Sequence, residues 1–582
     1  VILTAIDWVV IGAYFVVSAA IALAYARRAR TSSQEFFLSG RAVPWWLAGT
    51  SMVATTFAAD TPLAVTGLTV KYGIAGNWIW WSMVMSGMLT AVLYARLWRR
   101  AGVMTDAEFA ELRYSGRPAA FLRVFRACYL ALAVNAIIIG WVTAAMAKIL
   151  GLTLGVGKWQ ATVGLFLVTG LYSALAGLWG VLVTDFFQFI LAMTGCIALA
   201  VFALGAVGGL HGLLTALHAR FPDDAPLSMV PDLDSAWMPA LTFFVYVAVN
   251  WWASWYPGAE PGGGGYVAQR IMATRDERHA LLAALWFNIA HYALRPWPWI
   301  VVALASMVLY PGLDDPESGF VRVMVDHLPP FWRGFLLAAF FAAYMSTISS
   351  QLNWGASYLV NDVYRRVVAG GRSERHYAYV GAGATVAMMI VSGIVTYHIT
   401  SVEGAWKFLL ALGAGTGLVY LLRWYWWRIN AWSEVGAMVA ALVVSLGAQF
   451  GLGLSADDPR GFAHLLLLTT GVTTVVWLAV TYLTPPEPAE RLREFYARVR
   501  PGGRGWRAIA PEAVGDGRLG ARLAQWVVGC VVVYLGLFGI GALVLGRTLQ
   551  GAAALVLGVV LTAYLVRATA GAGPAAVPAR VL

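Results

Sequence analysis

The chain has 582 residues, 60% of them hydrophobic and only 12% charged, with a formal net charge of +11. A soluble protein of that size needs a charged surface that this composition cannot supply, and apolar runs longer than the roughly 18–20 residues that cross a bilayer recur along it. The basic excess is nearly all arginine at the ends of those runs, which points to membrane topology rather than nucleic acid.

Backbone in lipid must satisfy its own hydrogen bonds, so the apolar runs are read as helices. No run alternates as a barrel strand would. Fifteen spans are expected. Ile6–Tyr25 comes first; it is too long for a signal-peptide core, ends in Arg27, Arg28 and Arg30, and is read as a retained helix. Trp46–Thr69, Trp78–Trp98, Val124–Leu150, Gln160–Leu178 and Val181–Gly205 form a set of five. Pro239–Ile271, Ala280–Leu309, Phe335–Val360, Tyr379–Tyr397 and Ala405–Leu422 form a second set. Val435–Leu452, Phe462–Leu483, Trp526–Leu545 and Ala552–Val566 complete the count. Pro485–Arg522 carries Pro, Gly and mixed charge with little periodicity and reads as a cytoplasmic linker. The expected units are therefore an extra helix (1–33), a first repeat with its following loop (34–236), a second repeat (237–430), two peripheral helices (431–484), the linker (485–523) and two terminal helices with a tail (524–582). Cys128, Cys196 and Cys530 all fall in apolar runs, with neither a disulfide framework nor metal-ligand spacing.

Threading the spans alternately collects Arg27, Arg28, Arg30, Arg99, Arg100, Arg113, Arg123, Arg126, Arg275, Arg365, Arg366 and Arg423 on one side. The other side has isolated cations and loops rich in Asp and Pro, such as Phe221–Asp234 and Pro311–Glu317. The positive-inside rule then places the amino terminus outside and the carboxyl terminus in the cytoplasm of an inner-membrane protein.

Two spans contain features that are costly in a bilayer. Ala48–Gly67 packs Thr50, Ser51, Thr55, Thr56, Asp60, Thr61 and Pro62 together. An intramembrane Asp faces a protein interior or an aqueous cavity, and Pro62 frees a carbonyl in the preceding turn. The simpler alternative is a kinked helix whose hydroxyls bond back to the backbone. The second stretch, Asn250–Gln269, holds Pro257, Glu260, Pro261 and four consecutive glycines, Gly262 to Gly265. No continuous helix survives that sequence. Each break opens a set of five spans, and an odd number of spans per repeat forces the repeats to be inverted in the membrane. Interrupted helices in two halves of a transporter are the best sequence pointer to a site at mid-depth.

Several motifs in this order resemble the sodium:solute symporter family. They are EFFLSGRAVPWWLAG at Glu35–Gly49, GLWGVLVTDFFQ at Gly177–Gln188, QRIMATR at Gln269–Arg275 and AAYMSTISSQLNWGASYLVNDVY at Ala342–Tyr364. The resemblance spans Gln34 to Glu434. It implies an all-α LeuT-type fold with a 5+5 inverted-repeat core, and symport of a small polar solute coupled to Na+. It also implies a sodium site with carbonyls of Ala54, Phe57 and Ala343 and hydroxyls of Ser346 and Thr347. A hard cation favours such a set of neutral oxygens. A second cation site is implied at Asp185 with Ser346, Ser349 and Ser350, against the alternative that Asp185 is structural.

Sugar-transporting relatives carry Gln, Glu and Lys where this chain has Thr61, Trp80 and His291, which argues against a sugar. The remaining polar groups in or beside spans are Thr61, Asn250, Glu260, His291 and Arg295, with Trp80 among the tryptophans that could wall a pocket. The set suits a zwitterion or an organic anion. Two other readings stand beside transport. One is a sodium-dependent sensor with a transporter-like body. The other is a membrane enzyme using Asp60, Glu260 and His291, which no catalytic spacing supports.

Overall fold

The computed structural model describes residues 3–29, 39–103, 106–173, 178–223, 225–253, 261–511 and 519–570. Ten helices among them are long and apolar enough to cross a membrane. These are α4 (Ile74–Ala101), α5 (Gly116–Leu154), α7 (Leu178–Ala206), α10 (Glu277–Leu309), α11 (Trp332–Val368), α12 (Glu374–His398), α15 (Ala431–Gly451), α16 (Pro459–Leu483), α18 (Leu519–Val544) and α19 (Thr548–Ala570). The other five expected spans fall on shorter or interrupted helices. They are α1 (Ala5–Ala29), the pair α2 (Trp45–Thr55) and α3 (Asp60–Tyr72), and α6 (Lys158–Ser173). After them come the pair α8 (Ala240–Ala248) and α9 (Gly265–Ala273), and the pair α13 (Val402–Gly413) and α14 (Gly417–Tyr425). The all-α expectation holds.

The first break lies where the sequence puts it. Helix α2 stops at Thr55, residues 56–59 are irregular, and α3 restarts at Asp60. Pro62 sits in the first turn of α3, where its missing N–H removes no intrahelical bond. In the second break, α8 ends at Ala248 and a 3-10 turn covers Asn250–Trp252. Helix α9 begins at Gly265, after irregular residues 261–264. Glu260 and Pro257 lie outside the described residues. Gly262 (φ 85°) and Gly263 (φ 88°) adopt left-handed backbone, which glycine reaches without a Cβ penalty. The Gly262 carbonyl accepts from the indole N–H of Trp98 at 2.7 Å, so the glycine loop is pinned to α4.

Three features depart from the sequence expectation. The span Ala405–Leu422 is not one straight helix: α13 and α14 meet at 46° across residues 414–416. Gly413, Gly415 and Gly417 weaken the helix there. A Cβ on Gly417 would lie 1.7 Å from the Trp252 carbonyl, so the bend is fitted to the second break. The linker is not featureless either. Ala489–Val499 forms a helix, α17, whose Leu492, Phe495 and Val499 are fully buried, as is Trp506 beyond it. Trp506 donates to the Trp424 carbonyl at 2.8 Å, and Phe495 stacks on Trp506 at 5.6 Å. Finally, several arginines read as topological markers are buried and bonded. Arg113 donates to the carbonyls of Arg423, Trp426 and Trp427, and Arg126 and Arg423 both reach Glu434.

Helix α2 packs on α7 and α10, α3 packs on the second half of α10, and α11 packs on α7. The segment before the first broken helix and the segment after the second are joined by a parallel bridge, Val43 with Thr274. Helix α1 is anchored by Asp7, whose carboxylate accepts from the Phe331 and Gly334 amides at the start of α11. The first broken helix is thereby enclosed by α7, α10 and α11.

Candidate cation and solute site

The end of α2 and the middle of α11 meet at the first break. Thr347 is fully buried, and its hydroxyl donates to the Thr55 carbonyl at 3.2 Å. The Thr347 hydroxyl thus reaches across to α2 and does not bond back to its own helix. The Ala54 carbonyl accepts from the Phe57 amide at 3.0 Å. The Phe57 carbonyl, freed by the break, takes no backbone N–H among the described residues. Ala343 lies one turn before Thr347 on the same helix and Ser346 directly precedes it, and both are buried. The five residues read as the first sodium site therefore sit on the two elements that contact each other here.

Asp185 of α7 is the centre of a second cluster. Its Oδ1 accepts from Ser346 at 2.6 Å, and its Oδ2 accepts from Ser51 at 2.6 Å and Thr55 at 3.4 Å. The Arg270 guanidinium of α9 lies 3.9 Å from Oδ2. It also donates to Ser51 Oγ at 3.3 Å and Thr55 Oγ1 at 3.4 Å. Each hydroxyl thus accepts from the guanidinium while donating to the carboxylate, a double use open to alcohols. Ser51 and Thr55 sit at i and i+4 on one face of α2, which lets both bridge the same pair. Of the three serines expected at Asp185, only Ser346 bonds it. Ser349 turns back onto the Ser346 carbonyl at 3.2 Å, and Ser350 is half-buried. Sequence reading missed the bridging role of Ser51, Thr55 and Arg270; the signal was the polar i, i+4 pair and the arginine of QRIMATR.

Around the other face of the break gather most of the solute candidates. Thr61 Oγ1 donates to the Thr56 carbonyl at 3.3 Å. His291 Nδ1 lies 3.1 Å from Thr56 Oγ1, within a π-helical turn, Ile289–Leu294, that thrusts its side chain inward. Arg295 donates to the Val53 carbonyl at 3.2 Å and to Thr56 Oγ1 at 3.3 Å, and lies over the Trp299 ring at 5.0 Å. Trp80 packs edge-on to His291 and stacked on Tyr292, both at 5.8 Å. Asn250 stands apart, donating to the Ile79 carbonyl at 2.6 Å and to Ser82 at 3.0 Å.

A cavity of about 30 Å³ lies between the two breaks, lined by Thr56, Ser86, Thr90, Gly263, Asn288 and Tyr292 among others. That volume holds about one water. The Asn288 amide oxygen, on this wall, has no hydrogen-bond partner, although the residue is fully buried. Gly87 makes room for it: a Cβ there would fall 1.9 Å from that oxygen.

A profile of the sodium:solute symporter family matches residues 36–443. A sodium/glucose cotransporter of Vibrio parahaemolyticus is 22% identical over 475 residues, covering 77% of this chain and 85% of the relative. Sodium/glucose cotransporter 1 of Oryctolagus cuniculus is 24% identical, covering 83% of this chain and 80% of the relative. A sodium/mannose cotransporter of Bos taurus is 23% identical, covering 91% and 94%. Among solved structures, the substrate-bound outward-open state of a Na+-coupled sialic acid symporter superposes with a TM-score of 0.66. That likeness covers 83% of this chain and 99% of the symporter at 19% identity, and shows the shared fold.

Proposed function

This chain belongs to the sodium:solute symporter family and is a multi-pass membrane symporter coupled to Na+, and on that premise we propose which residues hold the ion and what kind of solute it drives. Sodium binds at the first break, between the carbonyls of Ala54, Phe57 and Ala343 and the hydroxyls of Ser346 and Thr347. The observation that carries this is the bond from Thr347 to the Thr55 carbonyl, which already joins α11 to the end of α2. The Thr347 hydroxyl gives its hydrogen to that carbonyl and keeps lone pairs for the ion. An ion in this position ties the broken helix to α11 without adding a buried charge on the protein.

The solute occupies the space between the breaks. At about 30 Å³ that space is too small for a metabolite, so the surrounding helices must part to admit one, as alternating access requires. Sodium stabilises the arrangement to which solute binds, and both then leave on the inner side. The membrane potential contributes about 2.3 kcal/mol per charge per 100 mV. The arginine-rich side is cytoplasmic, with the amino terminus outside. The relatives named above carry glucose, mannose or sialic acid in their names, but this chain puts His291, Arg295, Trp80 and Thr61 at its first break. Those groups suit a charged solute, a zwitterion or an organic anion. Transport, not turnover, is the role: a bound compound leaves chemically unchanged.

A thermal-shift screen of small metabolites, each with and without sodium, tests this reading. Charged solutes should stabilise the protein only when sodium is present, and the same compounds should accumulate in proteoliposomes under an inward sodium gradient. Stabilisation by neutral sugars alone would overturn the solute assignment. Equal uptake without the gradient would overturn the coupling.

A further inference from the structure

We propose that Asp60 anchors an ammonium group of the transported solute, which makes that solute an amine or a zwitterion rather than an organic anion or a polyol. This rests on the transport reading above and sharpens its solute class.

Asp60 is fully buried and opens α3, directly after the first break. Thr61, its neighbour, is bonded to Thr56, which lines the central cavity. The Asp60 Oδ2 atom accepts from the indole N–H of Trp406 on α13 at 3.3 Å. The Trp141 indole of α5 also hydrogen-bonds the carboxylate. Its Oδ1 atom has no hydrogen-bond partner.

Most other buried acids have a cation beside them, and Asp7 has its carboxylate filled by the Thr4, Phe331 and Gly334 amides. Asp185 faces Arg270, Asp362 faces Arg123, Glu317 faces Lys148, Glu403 faces Lys71 and Lys407, and Glu434 faces Arg126 and Arg423. Asp60 forms no ion pair among the described residues. Arg295 acts on it through space but directs bonds to Val53 and Thr56. A buried carboxylate with an open oxygen is costly unless a cation or a proton completes it.

The surroundings choose among cations. An alkali ion wants several oxygens, whereas the neighbours of Asp60 are indoles, whose N–H groups only donate. An organic ammonium needs fewer oxygens and can bond the open carboxylate oxygen directly.

The test uses the purified full chain in saturating sodium and matched pairs that differ in the charged nitrogen. The pairs are choline against 3,3-dimethylbutanol and L-alanine against L-lactate, alongside a panel of primary, methylated and quaternary amines. An amine should raise the melting temperature and its neutral or anionic partner should not. Asp60→Asn, which keeps the size and an acceptor for Trp406, should weaken that amine at least tenfold while leaving the stabilisation by sodium itself intact. If the variant fails to fold, the matched pairs on the unaltered protein decide. No stabilisation by any amine, or unchanged amine affinity in Asp60→Asn, overturns the proposal. So does loss of solute-driven proton uptake in that variant without loss of amine binding, because Asp60 would then carry a proton. Absence of any sodium effect on the unaltered protein would instead count against the transport reading.

Discussion

Replacing Arg270 with Met keeps the bulk of the side chain and removes the only guanidinium facing Asp185 among the described residues. In the structure the cation reaches the carboxylate at 3.9 Å and through two bridging hydroxyls, Ser51 and Thr55. Removing one partner of a buried pair typically costs about 3–5 kcal/mol, because the other charge is left uncompensated. The separation here is long for an ion pair, and Asp185 keeps its bonds from Ser51 and Ser346. The lower end, about 3 kcal/mol, is therefore expected. Asp185→Asn alone should cost a similar amount, since it strands Arg270. The double variant should cost clearly less than the sum, with a coupling of about 2 kcal/mol. Unfolding in mixed detergent and denaturant, followed by tryptophan fluorescence, gives all four corners of the cycle. Strict additivity, or single costs below about 1 kcal/mol, would refute the claim that these groups act as a bridged pair.

Other perturbations test other parts of the structure. Gly263→Ala places a Cβ 3.0 Å from the Trp98 indole nitrogen at a φ of +88°. It should destabilise by about 1–3 kcal/mol and abolish uptake, measured in proteoliposomes; near-normal uptake would mean that the glycine loop is not fixed against α4. Gly87→Ala collides with the Asn288 amide and should reduce the apparent solute affinity while leaving sodium stabilisation in place, read by thermal shift. Phe495→Ala removes a buried ring stacked on Trp506. It should cost about 3–5 kcal/mol and speed trypsin cleavage within Ala489–Val499, followed by gel.

Much of this architecture was legible in the sequence because lipid leaves the backbone few choices. Apolar runs must be helices, and Pro62 and the Gly262–Gly265 run could not continue one, so both breaks fell where expected. The rest depended on tertiary partners that periodicity does not carry. Phe495 and Leu492 look like isolated apolar residues in a polar stretch until Trp424 and Phe109 are placed beside them. The bend at residues 414–416 depends on the approach of Trp252 to Gly417. Likewise Asp185 could be read as an acid awaiting an ion, but the arginine that meets it lies on another helix, 85 residues along the chain. At the solute candidates, His291 and Arg295 lie 235 and 239 residues from Thr56, and only the fold shows that they join Thr61 there while Asn250 does not.

Binding of radioactive sodium to the purified protein tests the ion assignment most directly, comparing the unaltered chain with Thr347→Ala. The bond geometry at the first break predicts saturable binding that the variant loses or weakens at least tenfold, with the fold retained by gel filtration. Identical sodium binding in both proteins would contradict it.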